Sequence, residues 1–424
     1  METEEALRLL NDWWLTGKVK NELTKVYRRD AFEKAIELIG KYRQAIILTG
    51  LRRVGKSTIM YQMIDYLLRT GIKPINIIYF TMDYKWADIT NILDTCQMIT
   101  GINWKSEKIY VFLDEIQKLR GWGEQVKMLY DAFPNIHFVL SGSASLQLER
   151  TAMDSLAGRH FMLEVPVLSL TEYFSLRHGI DVKNVKLYEG EISLEIEQYL
   201  RKPFPELVNV DDQRIINEYL RESVVSRIIG LDLTAEFKDT DVNLLNSLIE
   251  IFFSEPGMIL NVDSLSRALA RRKQEVERHI YMLEFSKLIR IVKNYRPSAL
   301  SESRKLRKIY PYDVSLAIAY RPSLERGIVL ETLIISRLNI SRYWREGNKE
   351  IDGLMGGGKD IIPIEIKASE NLRDIKWLEY FLDRFNIKRG LVIYNGNRVD
   401  KGKITASNVK DVLLYGFREA DRRN

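Results

Sequence analysis

Apolar positions along the chain follow two periods. Near the N-terminus FEKAIELI places them at helical spacing, and the segment through Ile39 reads as helical. QAIILTG then reads as a short buried strand, followed by a loop and the helix YQMIDYLLRTG, closed by Gly71 as a C-terminal cap. NIIYFTMD, KIYVFLDE and HFVLSGS repeat the strand pattern, each ending in polar or small residues. Strands alternating with helices predict a parallel sheet covered on both faces, and the pattern stops near Pro166. From Leu168 to about Gly230 the chain reads as helical, interrupted by PFPEL at 203–207. A smaller helical region, 241–290, leads into a strand, IRIVKNY. From about 326 come a helix (GIVLETLIISRL), a strand pair around KEIDGLMGGGKDIIPIEIK, a helix (NLRDIKWLEYFLDRF) and a strand (RGLVIYN).

Composition narrows the picture little. A chain of 424 residues predicts about three domains at roughly 150 residues each. Hydrophobic residues make up 46%, enough for ordinary cores. The single cysteine, Cys96, excludes an internal disulfide framework and a thiolate zinc site. No uncharged apolar run approaches the ~18 residues of a membrane span. The acidic opening METEEALRLLNDWW lacks the order of a secretory signal, so a cytoplasmic protein without membrane association is expected.

GLRRVGKS, residues 50–57, fits G-x-x-x-x-G-K-[ST] with a strand before it and a helix after it. Gly50 and Gly55 let the backbone turn so that the N–H groups of Leu51, Arg52, Arg53, Val54 and Gly55 face phosphate oxygens. Lys56 would reach the β- and γ-phosphates of ATP. Ser57, with Thr58 behind it, opens the helix and would ligate Mg²⁺. In KIYVFLDE, Asp114 would hold that Mg²⁺ through water and Glu115 would orient or deprotonate the attacking water. Ser141 or Ser143 in HFVLSGS would sense the γ-phosphate, or form a plain turn. Arg159 in SLAGRH would stabilise transition-state charge, in its own chain or in a neighbouring subunit, or serve as a surface arginine.

GLRRVGKST, VFLDE, LSGSAS and SLAGRHFMLEVPVLSLTEYF together resemble the archaeal and bacterial AAA-type ATPases that carry a C-terminal nuclease-like domain. The resemblance implies an α/β chain: a P-loop ATPase core with a parallel sheet over 1–165, and a helical lid over 166–235. It further implies a winged helix over 236–322 and a restriction-endonuclease-like domain over 323–424.

Residues 259–295 have the order helix, turn, helix, strand. Leu265, Ala268, Leu269, Val276, Ile280 and Leu283 fall at helical spacing, and Asp263 or Ser264 is the expected N-cap. That layout resembles a winged helix-turn-helix. Between Arg267 and Lys308 thirteen Lys or Arg stand against four Glu, a surplus of nine, whereas the whole chain is +6. Concentrated charge points to DNA as partner; a packing module is the other reading.

Near the C-terminus, Glu365 and Lys367 alternate on one strand and face the same side, with Ile366 on the other. Asp352 ends a strand that begins near Tyr343, and GLMGGGKD joins the two. Two carboxylates on adjacent strands share a hard cation such as Mg²⁺ or Mn²⁺, and a lysine beside them stabilises charge on a phosphate. The spacing resembles the PD-(D/E)-x-K nuclease core. That resemblance makes Asp352 and Glu365 metal ligands, Lys367 the residue assisting water, and Glu331 an accessory acid. A solvated hairpin edge and a fold kept only for binding are the alternatives. The combined expectation is an ATP-hydrolysing, DNA-processing enzyme with metal-dependent endonuclease activity. The alternatives are a nucleotide-dependent switch or a branch-migrating helicase with a silent C-terminal domain. Oligomeric state is left open between a monomer and a homo-oligomer.

Overall fold

The computed structural model describes residues 3–83, 88–143, 146–296, 306–357, 360–372 and 374–420. The chain forms two compact units, Met1–Val167 and Leu168–Asn424. Among the described residues no helix is long and apolar enough to cross a membrane.

The first unit is built on five strands: β1 (Ala45–Gly50), β2 (Ile77–Thr81), β3 (Ile109–Asp114), β4 (Ile136–Ser143) and β5 (His160–Glu164). They lie in the order β2-β3-β4-β1-β5, all parallel. Every residue of β1 and β3 is buried, which explains their unbroken apolar runs. β5 escaped the sequence pattern because it is a half-exposed edge strand of mixed residues, HFMLE. The opposite edge, β2, is closed by side chains. Asn11 donates to the Tyr79 carbonyl (2.8 Å) and accepts from its N–H (2.7 Å). The indoles of Trp13 and Trp14 donate to the Ile77 carbonyl at 3.1 and 2.8 Å. An edge that would otherwise template strand pairing is thus covered. The expected N-terminal helix is divided into Thr3–Leu10, Trp13–Thr16, Asn21–Thr24 and Asp30–Lys41.

The second unit begins with helices Leu170–His178 and Glu189–Arg201. A capping box between Ser169 and Glu172 starts the first. Further on, helix Val242–Ser254, β6 (Met258–Ile259), helices Val262–Ala268 and Lys273–Phe285, and the pair β7 (Ile289–Asn294) and β8 (Arg307–Pro311) follow in order. β8 lies between β6 and β7, antiparallel to both. Neither expected cap starts helix Val262–Ala268: the Asn261 side chain accepts from the Ser264 N–H at 3.0 Å.

Helix Arg326–Arg337 precedes β9 (Arg342–Glu346), β10 (Lys349–Met355) and β11 (Ile362–Ile366). Then come helix Lys376–Arg384, β12 (Gly390–Tyr394), β13 (Val399–Lys401) and β14 (Ile404–Asn408). The single strand expected from Tyr343 to Asp352 is a hairpin, β9–β10, turning at Gly347 with φ 62°. Asp352 sits inside β10, where the pairing with β9 shifts register, not at the strand's end. β7 pairs in parallel with β9, so one nine-stranded mixed sheet runs through both halves of this region. The helix expected from Asn371 starts only at Lys376, and no side chain caps it.

Candidate functional site

In the first unit the phosphate loop joins β1 to helix Lys56–Arg69. Gly50 has φ 150°, and a Cβ there would meet the Val165 carbonyl oxygen at 2.2 Å. Only glycine fits between the loop and that backbone. Gly55 has φ 95° and Arg53 φ 65°, so the loop takes the left-handed turns a phosphate cradle uses. Leu51 and Val54 are buried and anchor the loop below. Arg52 lends positive potential to Asp83, and Thr58 lies in the first turn of the helix. Lys56 is buried and donates to the carbonyls of Gly50 (3.0 Å) and Leu51 (2.9 Å), so its ammonium lies across the loop.

Asp114, at the end of β3, is buried and collects four donors. The Ser57 hydroxyl donates to Oδ2 at 2.5 Å, and the Tyr79 hydroxyl to the same oxygen at 2.9 Å. Ser141 Oγ donates to Oδ1, as does the Glu115 N–H at 3.0 Å. β4 lies between β1 and β3, with Ser141 opposite Leu48. That order brings Ser141 onto the carboxylate, and not to the strand tip where a γ-phosphate sensor was expected. The side chain of Ser143 lies outside the described residues. Burial, then the Asp114 carboxylate, push the Tyr79 hydroxyl well above its ordinary value, so it stays a donor.

Glu115 has φ 53°, an uncommon conformation for a residue with a Cβ. It is held by its N–H bond to Asp114 and by Lys118 N–H donating to its carbonyl at 3.0 Å. Backbone held this way tends to mark working residues. Gln117 Nε2 donates to Glu115 Oε2 at 2.6 Å. A Cβ on Gly142 would meet Gln117 Oε1 at 2.5 Å, so the glycine of LSGS makes room for that amide.

Of the two readings of Arg159, its position within its own chain matches the surface arginine. It immediately precedes β5, whose His160 lies opposite Ala45, so it stands at the start of the strands. The loop leaves their far ends, about 17 Å away at 3.3 Å per residue. There Arg159 forms a two-pronged pair with Asp131, at 2.7 and 3.1 Å. Arg29 is a residue the sequence reading missed. It is buried and donates to the carbonyls of Val54 (2.8 Å), Pro166 (2.8 Å) and Val167 (3.2 Å), tying the phosphate loop to the segment after β5. No local motif announces it, because its partners are backbone atoms remote in sequence.

In the second unit, β10 and β11 pair with Gly353 opposite Ile364, which sets Asp352 against Glu365 one step along. Asp352 Oδ2 accepts from the Ile366 N–H at 2.7 Å. Lys367 donates to Glu365 Oε1 at 2.6 Å. The other oxygen, Glu365 Oε2, is buried and has no hydrogen-bond partner among the described residues. Burial, then Glu365 and Glu331, push the Asp352 carboxyl well above the ordinary carboxylate range. Burial also raises Glu365, against the pull of Lys367. Two crowded acids and an unsatisfied buried oxygen are what a divalent cation would relieve. Asp352 and Glu365 therefore fit such an ion as a pair. Among the described residues no three His, Cys, Asp or Glu side chains are placed to hold one together.

Glu331 comes to this region from helix Arg326–Arg337, but it is already engaged. Lys308 pairs with it at 3.1 Å and with Glu350 at 2.5 Å, and Tyr310 donates to the same Glu331 oxygen. Lys308 and Tyr310 lie on β8, and Glu350 on β10. The sequence reading counted Lys308 among the DNA-facing cations; the structure buries it. Arg345 pairs with Glu350 at 3.4 Å, and the Lys349 ammonium lies 3.6 Å from the Tyr380 ring centroid. Trp344 is buried and packs edge-on against Phe381. On the preceding helices, Arg271 pairs with Asp241, Lys273 with Asp263 and Arg278 with Asp239. Part of the positive surplus is thus met within the unit.

Comparison with known proteins agrees with the first unit. Residues 42–174 match a family described as an AAA domain. The first unit is therefore an AAA-type, P-loop nucleotide-binding α/β fold. Residues 195–325 and 324–411 match two families described as domains of unknown function, DUF8612 and DUF4143. The chain is 25% identical over 366 residues to the uncharacterized protein MJ1637 of Methanocaldococcus jannaschii, spanning 78% of this chain and 75% of that one. It is 26% identical over 395 residues to MJ1544 of the same organism, covering 84% and 83%. Among solved structures, the Walker-type ATPase PABY2304 of Pyrococcus abyssi superposes with a TM-score of 0.41 and 15% identity, over 72% of this chain and 98% of that one.

Proposed function

We propose that the chain hydrolyses ATP on its first unit and acts on DNA through its second, as a metal-dependent endonuclease. The observation that carries the ATPase reading is the meeting of Ser57 and Asp114 at 2.5 Å beside the Lys56 ammonium. Ser57 and Asp114 would hold Mg²⁺, which would supply screening of phosphate charge. Lys56 exchanges its two carbonyl partners for phosphate oxygens. Tyr79 and Ser141 keep the Asp114 carboxylate aimed at Ser57. Glu115, released from Gln117, accepts the proton of the attacking water.

For the second unit the carrying observation is Asp352 opposite Glu365, with Lys367 bound to one Glu365 oxygen and the other buried without a partner among the described residues. An ion there would polarise a phosphodiester and its attacking water. Asp352 and Glu365 hold it, and Lys367 meets the developing negative charge. The helix–strand–helix–helix–hairpin order over 242–311 supports a winged helix as the DNA-contacting part.

A second reading keeps the ATPase as a nucleotide-dependent switch with a silent C-terminal site. It is favoured by the engagement of Glu331 and Glu350 with Lys308. Wild type, Lys56→Ala and Lys367→Ala decide between them on duplex, branched and single-stranded DNA with Mg²⁺ or Mn²⁺. Phosphate release should vanish only in Lys56→Ala, and new DNA ends only in Lys367→Ala when ATP is omitted. Equal cutting by wild type and Lys367→Ala defeats the nuclease assignment. No cutting by either, with nucleotide-dependent DNA binding, favours the switch.

A further inference from the structure

The carboxylates Asp352, Glu365, Glu331 and Glu350 share their region with two ammonium groups, Lys367 and Lys308. The two lysines differ in position. Lys367 follows β11 within the D…E-x-K pattern; Lys308 arrives from β8, outside the segment that resembles a nuclease. Lys308 is 6% exposed and lies between Glu331 and Glu350. A buried ammonium is costly unless paired. Burial pulls the Lys308 pKa down, but Glu331 and Glu350 outweigh it and hold it above the usual lysine range. Four carboxylates stand against three cations here, since Arg345 also pairs with Glu350 at 3.4 Å, so the region keeps an excess of negative charge. Among the described residues Glu365 Oε2 is a buried oxygen without a hydrogen-bond partner.

We infer that Lys308 is a built-in cation occupying the Glu331–Glu350 side of the site, so that it takes one divalent ion, on Asp352 and Glu365, and not two. The inference rests on the reading of Asp352 and Glu365 as ion ligands. A second ion would have to displace an ammonium already held by two carboxylates at 2.5 and 3.1 Å. It would also add further positive charge to a mostly buried region. A single Mg²⁺ suits two protein carboxylates, since this ion keeps several of its waters.

The test is Mn²⁺ binding to the full chain, read as the loss of free-Mn²⁺ electron paramagnetic resonance. It is done without nucleotide in a Ser57→Ala background that silences the phosphate loop. One Mn²⁺ per chain is expected, and none with Asp352→Asn. Lys308→Met should bind two, while Lys308→Arg should stay at one. Glu350→Gln keeps Lys308 but removes one negative charge from the site. It should weaken Mn²⁺ about tenfold or more, although Glu350 does not hold the ion. Circular dichroism verifies that each variant is folded. Two ions in the parent, or one ion with unchanged affinity in both Lys308→Met and Glu350→Gln, overturns the role of Lys308. If Lys308→Met does not fold, Glu350→Gln alone decides. Binding that survives Asp352→Asn, or none in the parent, overturns the ion site itself.

Discussion

Asp114→Asn perturbs the most heavily shared group of the first unit. Ser57 and Tyr79 donate to Oδ2, and Ser141 and the Glu115 N–H to Oδ1. An amide offers one acceptor oxygen and one NH₂. The Glu115 N–H cannot reverse its role, so the amide oxygen must face it, leaving NH₂ toward Ser57 and Tyr79. Their hydroxyls can rotate to accept. Charge-assisted bonds worth about 1.5–3 kcal/mol each become neutral ones worth about 0.5–1.5 kcal/mol. Relief from burying a charge returns part of that, leaving a net loss of about 2–3 kcal/mol. Hydrogen exchange of the β1 and β3 amides reports the loss for this unit specifically. The sharper assay is a double-mutant cycle with Ser57→Ala. Both substitutions remove the charge assistance of the same bond, so their effects should fall short of additivity by about 1–2 kcal/mol. Mg²⁺-dependent ATP hydrolysis should fall at least about 100-fold, with nucleotide binding retained. Additivity within about 0.5 kcal/mol, or hydrolysis at the wild-type rate, refutes the reasoning.

Glu115→Gln should hold ATP and hydrolyse it about 10²–10⁴-fold more slowly, whereas Gln117→Ala should bind ATP normally, as read by fluorescent nucleotide and phosphate release. Gly50→Ala places a Cβ 2.2 Å from the Val165 oxygen at φ 150°, so nucleotide binding should be lost while second-unit amides keep their exchange protection. His137, stacked on Tyr110 with ring centroids 5.1 Å apart, is pushed down to about 4 by burial, then by Lys108 and Arg43. A histidine depressed in the folded state costs stability as it protonates. The first unit should therefore lose stability as pH falls from about 6.5 to about 4, and His137→Gln should flatten that slope. Partial exposure keeps the slope below ~1.4 kcal/mol per pH unit.

The phosphate loop and the acidic strand end were legible because their chemistry is local. GLRRVGKS needs only a strand before it and a helix after it, and KIYVFLDE carries its acids at the tip of a buried strand. D…E-x-K was legible for the same reason, since alternation along β11 sets Glu365 and Lys367 on one side. β5 and the β9–β10 hairpin were not, because half-exposed strands of mixed polarity lack a clean period.

Tertiary structure alone decided which residues those local motifs meet. Strand order placed Ser141 on Asp114, and the β1–β5 register stationed Arg159 at the opposite end of the strands from the phosphate loop. The register of β8 carried Lys308, one of many cations in its stretch of sequence, into a pair with Glu331 and Glu350. Strand order and register are set by burial summed over many side chains, and each of these partners is more than twenty residues away along the chain. A sequence window states what a residue is able to do; only the closed sheet determines what stands beside it.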